Sequence, residues 1–139
     1  MTTTTNRPIP TPDERSAEFF RAAKEGRLLI KRCSNCGRNL APQREACDAC
    51  TSEALEWAEA SGRGVVYSFV VMHQVLHPSF KDEVPYNVAL VELDEGPRII
   101  SNLVGVANSD IRVGARVEAV FEDLSEEVAV PKFRTVAAD

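Results

Sequence analysis

Two Cys-x-x-Cys pairs constrain this chain more than any other feature. Cys33-Ser34-Asn35-Cys36 and Cys47-Asp48-Ala49-Cys50 stand ten residues apart and contain all four cysteines of the sequence. Each pair can close a tight turn that aims two sulfurs at one point. Gly37 follows the first pair, where such a turn often needs a positive φ that a side chain resists. Two facing turns supply four thiolates, the closed tetrahedral set of a structural zinc site, with no position left for water or substrate. One zinc on Cys33, Cys36, Cys47 and Cys50 is therefore the expected cofactor, and its role is to hold structure. An iron of rubredoxin type would use the same four sulfurs. Paired disulfides suit secreted chains, whereas residues 1–10 (MTTTTNRPIP) lack the apolar core of a signal peptide. A redox function needs only one Cys-x-x-Cys, usually at a helix start.

The remaining residues must build a fold around that module. A length of 139 residues, 44% of them hydrophobic, suits one domain of ordinary size or a small domain with an appendage. No apolar run approaches a membrane span. The expected location is the cytoplasm, where thiols stay reduced and available to metal. The net charge of −5 is unevenly placed. Residues 21–50 hold seven basic side chains (Arg21, Lys24, Arg27, Lys31, Arg32, Arg38 and Arg44) against three acidic ones. Residues 51–139 hold seven basic and fifteen acidic. Such asymmetry suggests that the basic segment meets something anionic, unless the two segments pair with each other or are simply solvated.

The pattern predicts three regions: a flexible arm over residues 1–11, a helix plus zinc ribbon over 12–60, and a barrel over 61–139. Thr11-Pro12-Asp13-Glu14 reads as a helix start, with Thr11 as cap, Pro12 in the first position and Glu14 closing a capping box. Gly26 ends that helix. Its stripe of Ala17, Phe20 and Ala23, with Phe19 adjacent, needs a cover on this chain or on a partner. Leu28 to Arg32 reads as a strand into the first turn. Trp57 is expected to pack between the ribbon and the strands beyond it. Ser61-Gly62-Arg63-Gly64 reads as a hinge by composition. Beyond it come five strand-like runs: 65–75, 87–93, 97–104, 115–121 and 128–136. Glu95-Gly96 and Val113-Gly114 are turns between them, and Pro131 marks an edge or a break. Five short strands without a long helix predict a closed or nearly closed antiparallel barrel, most commonly an OB-fold, with an SH3-like barrel as the alternative.

Catalytic signals are weak. His73 and His77, the only histidines, flank a long loop that also carries Phe80, Pro85 and Tyr86. There is no Gly-x-Ser-x-Gly, no cysteine outside the two pairs, and no phosphate-binding glycine loop. Contact with a partner or ligand suits this loop better than catalysis does.

Several motifs together resemble the acyl-CoA-associated zinc-ribbon/OB-fold family, domain of unknown function 35. They are Gly26-Arg27-Leu28, Cys33-Ser34-Asn35-Cys36-Gly37, Pro42-Gln43-Arg44, Ser61-Gly62-Arg63-Gly64, Pro85-Tyr86, Val91-Glu92-Leu93-Asp94-Glu95-Gly96 and Pro131-Lys132-Phe133-Arg134. The resemblance runs from Pro8 to Thr135. Ala41 stands where a second proline is common, Thr51 where a glycine often follows the last cysteine, and Thr135 where a proline usually follows the arginine. The resemblance implies a non-catalytic accessory subunit in a hetero-oligomer with a thiolase-superfamily enzyme: a thiolase, an acyltransferase or a steroid side-chain aldolase. It implies an acyl-CoA at the shared interface, catalytic residues on the partner, and no role for nucleic acid or membrane. Phe19, Phe20, Arg38, Arg44, Phe80 and Tyr86 are the expected contacts to CoA or partner. The competing class is a single-stranded nucleic-acid binder, which ribbons and OB-folds both supply. A pI of about 5.1 and few aromatic residues along the strands weigh against it.

Overall fold

Asp13, two residues past the expected cap Thr11, starts the N-terminal helix. Its carboxylate accepts the backbone N–H groups of Arg15 (3.0 Å) and Ser16 (2.9 Å) and the Ser16 hydroxyl (3.0 Å). The Ser16 bonds hold the Asp13 carboxyl below the usual carboxylate range. An anionic acceptor outcompetes a threonine hydroxyl for these donors. One turn therefore precedes helix α1 (Ala17–Lys24), which begins later than the Thr11–Glu14 capping box implies. Gly26, at φ +79°, ends it as expected. The Gly26 N–H bonds the Ala23 carbonyl and the Arg27 N–H the Ala22 carbonyl, the paired bonds of a Schellman cap. The structure, a computed structural model, describes residues 10–75 and 78–136, and only the backbone of Phe80. Most of the expected arm, together with His77, lies outside these residues. No helix among them is long and apolar enough to cross a membrane.

A small antiparallel sheet comes next, in the order β2 (Asn39–Leu40), β1 (Leu29–Cys33), β3 (Leu55–Glu59). It carries both cysteine turns at one end. Leu29 and Ile30 are buried, whereas Arg32 points into solvent. Trp57, on β3, packs 6.3 Å from the Phe19 ring, with Lys31 Nζ 4.9 Å above its own ring.

The second sheet has the order β6-β5-β4-β8-β9-β7. Its strands are β4 (Arg63–Met72), β5 (Tyr86–Leu93), β6 (Arg98–Ser101), β7 (Leu103–Val104), β8 (Arg116–Asp123) and β9 (Ala129–Thr135). The expected third run, 97–104, is two strands, broken at Asn102. β6 and β7 therefore lie on opposite edges of the sheet, and the chain crosses between those edges at Asn102. One ladder, β7 with β9, is parallel, where antiparallel pairing throughout was expected. Among the described residues, no hydrogen-bonded ladder closes the ring. Side chains bridge the seam instead. Asn87 donates to the Leu103 carbonyl (2.8 Å) and accepts from the Leu103 N–H (2.6 Å). The Asn102 amide donates to the Asn87 carbonyl and accepts from Lys132 Nζ. Ser101 bonds the Pro131 carbonyl at 3.0 Å. Pro131 stands opposite Phe121 within β9, where its missing N–H removes only one ladder bond. β4 carries a bulge between Val66 and Ser68, which bends the strand as a barrel wall requires.

One core serves both sheets. Leu28, Ile30 and Ala60 from the ribbon side pack with Val66, Ala89, Val91, Leu93, Ile99, Leu103, Val117 and Phe133. Ala22 and Ala23 of α1 are buried, and Phe19 packs on the same cluster. The helix stripe thus finds its cover largely within the chain. Ser61–Gly64 is not a hinge. The Gly62 carbonyl accepts the Ala119 N–H, the Arg63 carbonyl accepts the Asp94 N–H, and Gly64 pairs with both Leu93 and Val117. Its glycines provide close approach between strands.

Candidate metal centre and the surface around it

The four sulfurs converge at the far end of the ribbon. Cys33 Sγ lies 3.6 Å from Cys50 Sγ and Cys36 Sγ 3.6 Å from Cys47 Sγ, and all four lie within 4.8 Å of one another. A tetrahedral zinc with bonds of about 2.3 Å would separate its sulfurs by about 3.8 Å. A disulfide would bring two of them to about 2.05 Å. The spacing therefore fits one metal ion held by all four thiolates.

Two near-copies of one turn produce it. In the first, the Gly37 N–H bonds the Cys33 carbonyl at 2.8 Å; in the second, the Thr51 N–H bonds the Cys47 carbonyl at 3.0 Å. Both closing residues sit at positive φ, Gly37 at +81° and Thr51 at +65°. Donors around the sulfurs favour thiolates. The Asn35 amide, 3.4 Å from Cys50 Sγ, and the Ser52 N–H bring the Cys50 thiol down to about 6. The N–H groups of Cys50 and Ala49 lower Cys47. At Cys36 the Arg38 N–H also acts to lower the thiol. The bond shared with Cys47, together with burial, outweighs it and pushes Cys36 up to about 11. A metal cation bound among the sulfurs would favour the thiolate forms and release their protons.

Thr51 is the one non-glycine residue at positive φ among those described. A β-branched side chain there is strained. Thr51→Gly is therefore expected to raise stability by about 1 kcal/mol, the typical cost of the left-handed region less the added freedom of glycine in the unfolded chain. Urea unfolding of the metal-loaded protein checks this. An unchanged or lower midpoint would show that the turn tolerates threonine without strain.

Of the other expected contact residues, Phe19, Phe20, Arg38, Arg44 and Tyr86 line three hollows, whereas Phe80 is described only by its backbone, in a short 3-10 turn over Pro78–Phe80. Phe19 and Phe20, their rings 5.4 Å apart and edge to face, line a hollow of about 660 Å³ with Trp57, Pro42, Leu90 and Ile100. Arg38 and Arg44 line a more polar hollow of about 550 Å³ with Asp48, Glu95 and Arg98. Arg38 Nε pairs with Asp48 at 2.5 Å, and Arg44 Nε bonds the Ala46 carbonyl at 3.3 Å. Arg98 lines both hollows and so joins them. Tyr86 lies in a third, of about 600 Å³, with Val88, Ile100, Asn102, Glu122 and Lys132. His73 is exposed just beyond the end of β4.

Self-neutralisation does not explain the basic segment. Among the described residues, only Lys24 (to Asp123) and Arg27 (to Glu59) of its seven cations pair with carboxylates of the later, acidic segment. Sequence reasoning missed Asn87, Asn102 and Lys132. Their signal was a polar residue inside an otherwise apolar strand run, which a buried polar network produces.

Known proteins place this architecture. Residues 20–56 match the family model of the rubredoxin-like zinc ribbon domain of ChsH2, and residues 57–122 that of its C-terminal OB-fold domain. A probable enoyl-CoA hydratase alpha subunit of Thermomonospora curvata is 42% identical over 128 residues, which are 92% of this chain and 40% of that protein. This chain therefore spans well under half the length of that relative. A DUF35 domain-containing scaffold protein of Methanocaldococcus jannaschii is 38% identical over 83% of this chain and 82% of its own. Among solved structures, a chain of the Ltp2-ChsH2(DUF35) aldolase superposes with a TM-score of 0.79 at 40% identity, covering 92% of this chain and 99% of that one.

Proposed function

Because the chain belongs to the DUF35 family of zinc-ribbon/OB-fold proteins, we propose that it is a non-catalytic accessory subunit of a thiolase-superfamily enzyme and helps that enzyme enclose an acyl-CoA substrate. The likeness over nearly the whole chain to a chain of the Ltp2-ChsH2(DUF35) aldolase carries this reading. The chemistry of the site supports it. All the thiols of the chain are grouped in one metal centre, whose four ligands leave no open position for a substrate. The partner then supplies nucleophile and base, whether the reaction is acyl transfer, condensation or retro-aldol cleavage.

Within this reading, Arg38 and Arg44 offer forked donors to the phosphates of CoA or to partner carboxylates. Phe19, Phe20 and Tyr86 offer apolar contact. The test is co-expression with the thiolase-superfamily enzyme of the same genome. The enzyme is expected to lose solubility or most of its turnover when this chain is omitted, and this chain alone is expected to turn over no acyl-CoA. Arg44→Ala is expected to weaken CoA binding with assembly intact. Full activity and solubility of the enzyme by itself, or turnover by this chain alone, would reject the accessory role.

A further inference from the structure

The two cysteine turns share a backbone plan but differ in one side chain that reaches a sulfur. Cys33-Ser34-Asn35-Cys36 and Cys47-Asp48-Ala49-Cys50 align position by position, so Asn35 of the first turn corresponds to Ala49 of the second. In the second turn the Ala49 backbone N–H donates to Cys47 Sγ at 3.4 Å, a bond that stays within the turn. In the first, the Asn35 side chain leaves its own turn and donates from Nδ2 to Cys50 Sγ, also at 3.4 Å. Asn35 thus ties the first turn to the last sulfur of the second, the one that lies 3.6 Å from Cys33 Sγ. An ion pair, Arg38 Nε to Asp48 at 2.5 Å, joins the same two turns. Backbone pairing joins the first turn to the approach to β3: Cys33 stands opposite Leu55, and the Ser34 N–H bonds the Ala54 carbonyl at 2.8 Å. Asn35 acts beyond that ladder, at the sulfur itself. Its side chain is exposed, so burial does not force the amide onto a sulfur that water could replace.

We propose that Asn35 is a positioning residue of the metal centre: by binding the Cys50 sulfur it holds the two turns together around one ion and sets how slowly that ion is lost. The physical ground is charge. Four thiolates around one divalent cation leave a net negative charge on the sulfurs. An N–H donor on one of them spreads that charge and relieves the repulsion among the four. Without the amide, Cys50 would carry its charge unshared and the two turns would lose one of their ties. Both changes ease detachment of a ligand. Partners that orient metal ligands typically change metal affinity about 10–100-fold. An exposed amide competes with water for the sulfur, which puts Asn35 at the lower end of that range. Ala49 has no side-chain donor, so the second turn offers no counterpart at this position.

The experiment uses Asn35→Ala and Asn35→Asp in the zinc-loaded full chain. The position is exposed, so both variants are expected to keep the wild-type circular dichroism when loaded. Zinc release into an excess of a coloured chelator is followed by absorbance, and the cobalt(II)-loaded forms by their sulfur-to-cobalt charge-transfer band. Asn35→Ala is expected to release zinc about 10-fold faster than the wild type. Asn35→Asp keeps the size of the side chain but sets a carboxylate against the thiolates, so its release should be faster still. In both, the cobalt band should move to longer wavelength, because a sulfur without its N–H bond gives up electron density more readily. Should either variant hold zinc too weakly for release to be timed, titration with zinc against a competing chelator is expected to show the same loss of about 10-fold or more in affinity. Asp48→Asn is the comparison. It breaks the ion pair between the same turns and leaves the Asn35 bond in place, so its band should stay at the wild-type position. Zinc release within about twofold of the wild type in both Asn35 variants would overturn the assignment. So would an unshifted cobalt band in both, or an equal shift in Asp48→Asn, which would mean that the spacing of the turns governs the centre and the amide does not.

Discussion

Replacing Cys36 with serine is expected to strip the metal from the chain and unfold the ribbon. Cys36 is the exposed member of the four sulfurs, so serine loses almost no packing there and the effect isolates ligation. A serine hydroxyl stays protonated at neutral pH and cannot replace a thiolate. Structural zinc of this type contributes about 10–16 kcal/mol of folding free energy, because no preformed site exists in the unfolded chain. The ribbon has little else to rely on. Its own apolar cluster is Cys33, Leu40 and Cys47, with Cys50 and Leu55 packed beside it, so most of that cluster is the ligand set. The loss should spread further, since Leu28, Ile30 and Ala60 are shared with the barrel core. Elemental analysis is expected to show one zinc per wild-type chain and close to none in Cys36→Ser, with rapid proteolytic nicking between residues 33 and 50 of the variant. Wild-type protein that is fully folded and metal-free would refute the structural role of the site.

The second large effect is expected at Gly64. A Cβ built there would stand 2.4 Å from the Glu92 carbonyl oxygen and 3.1 Å from Leu93 Cα, both backbone atoms that cannot rotate away. β4 is held on one side by β5 and on the other by β8, so it has no free side toward which to move. Gly64→Ala should therefore cost about 3 kcal/mol or more, at the upper end of overpacking changes. Against a typical domain stability of about 5–15 kcal/mol, that threatens expression. Gly26→Ala is the control. It has open space around its Cβ, so only its φ of +79° is penalised, at about 1 kcal/mol. Urea midpoints of the two variants should differ accordingly. A Gly64→Ala midpoint equal to the wild type would mean that β4 and β5 can separate without penalty.

Short-range signals carried well from sequence to structure. The spacing of the cysteines, the glycines at 26, 37, 96 and 114, and the strand run along 87–93 each rest on local geometry, and each appears where expected. The Thr11 cap failed because a carboxylate two residues later is the stronger acceptor. The hinge at Ser61–Gly64 failed because composition does not distinguish a glycine that must bend from one that must let another strand approach.

What the chain determines by itself is the metal centre, the positions of most strand runs along the sequence and the acidic character of its barrel segment. Those come from residue type and spacing within a few positions. Tertiary structure alone decided which surfaces remain uncovered. The alternation along β5 shows two apolar faces, but only the β4 and β6 ladders reveal that Val70, Val88, Leu90 and Ile100 lie together outside the core. Likewise, the seam between the sheet edges is closed by Asn87, Asn102 and Lys132, which are 15 or more residues apart in sequence and act only once the strands are paired. Such contacts depend on register, and register is fixed by the packing of the whole barrel.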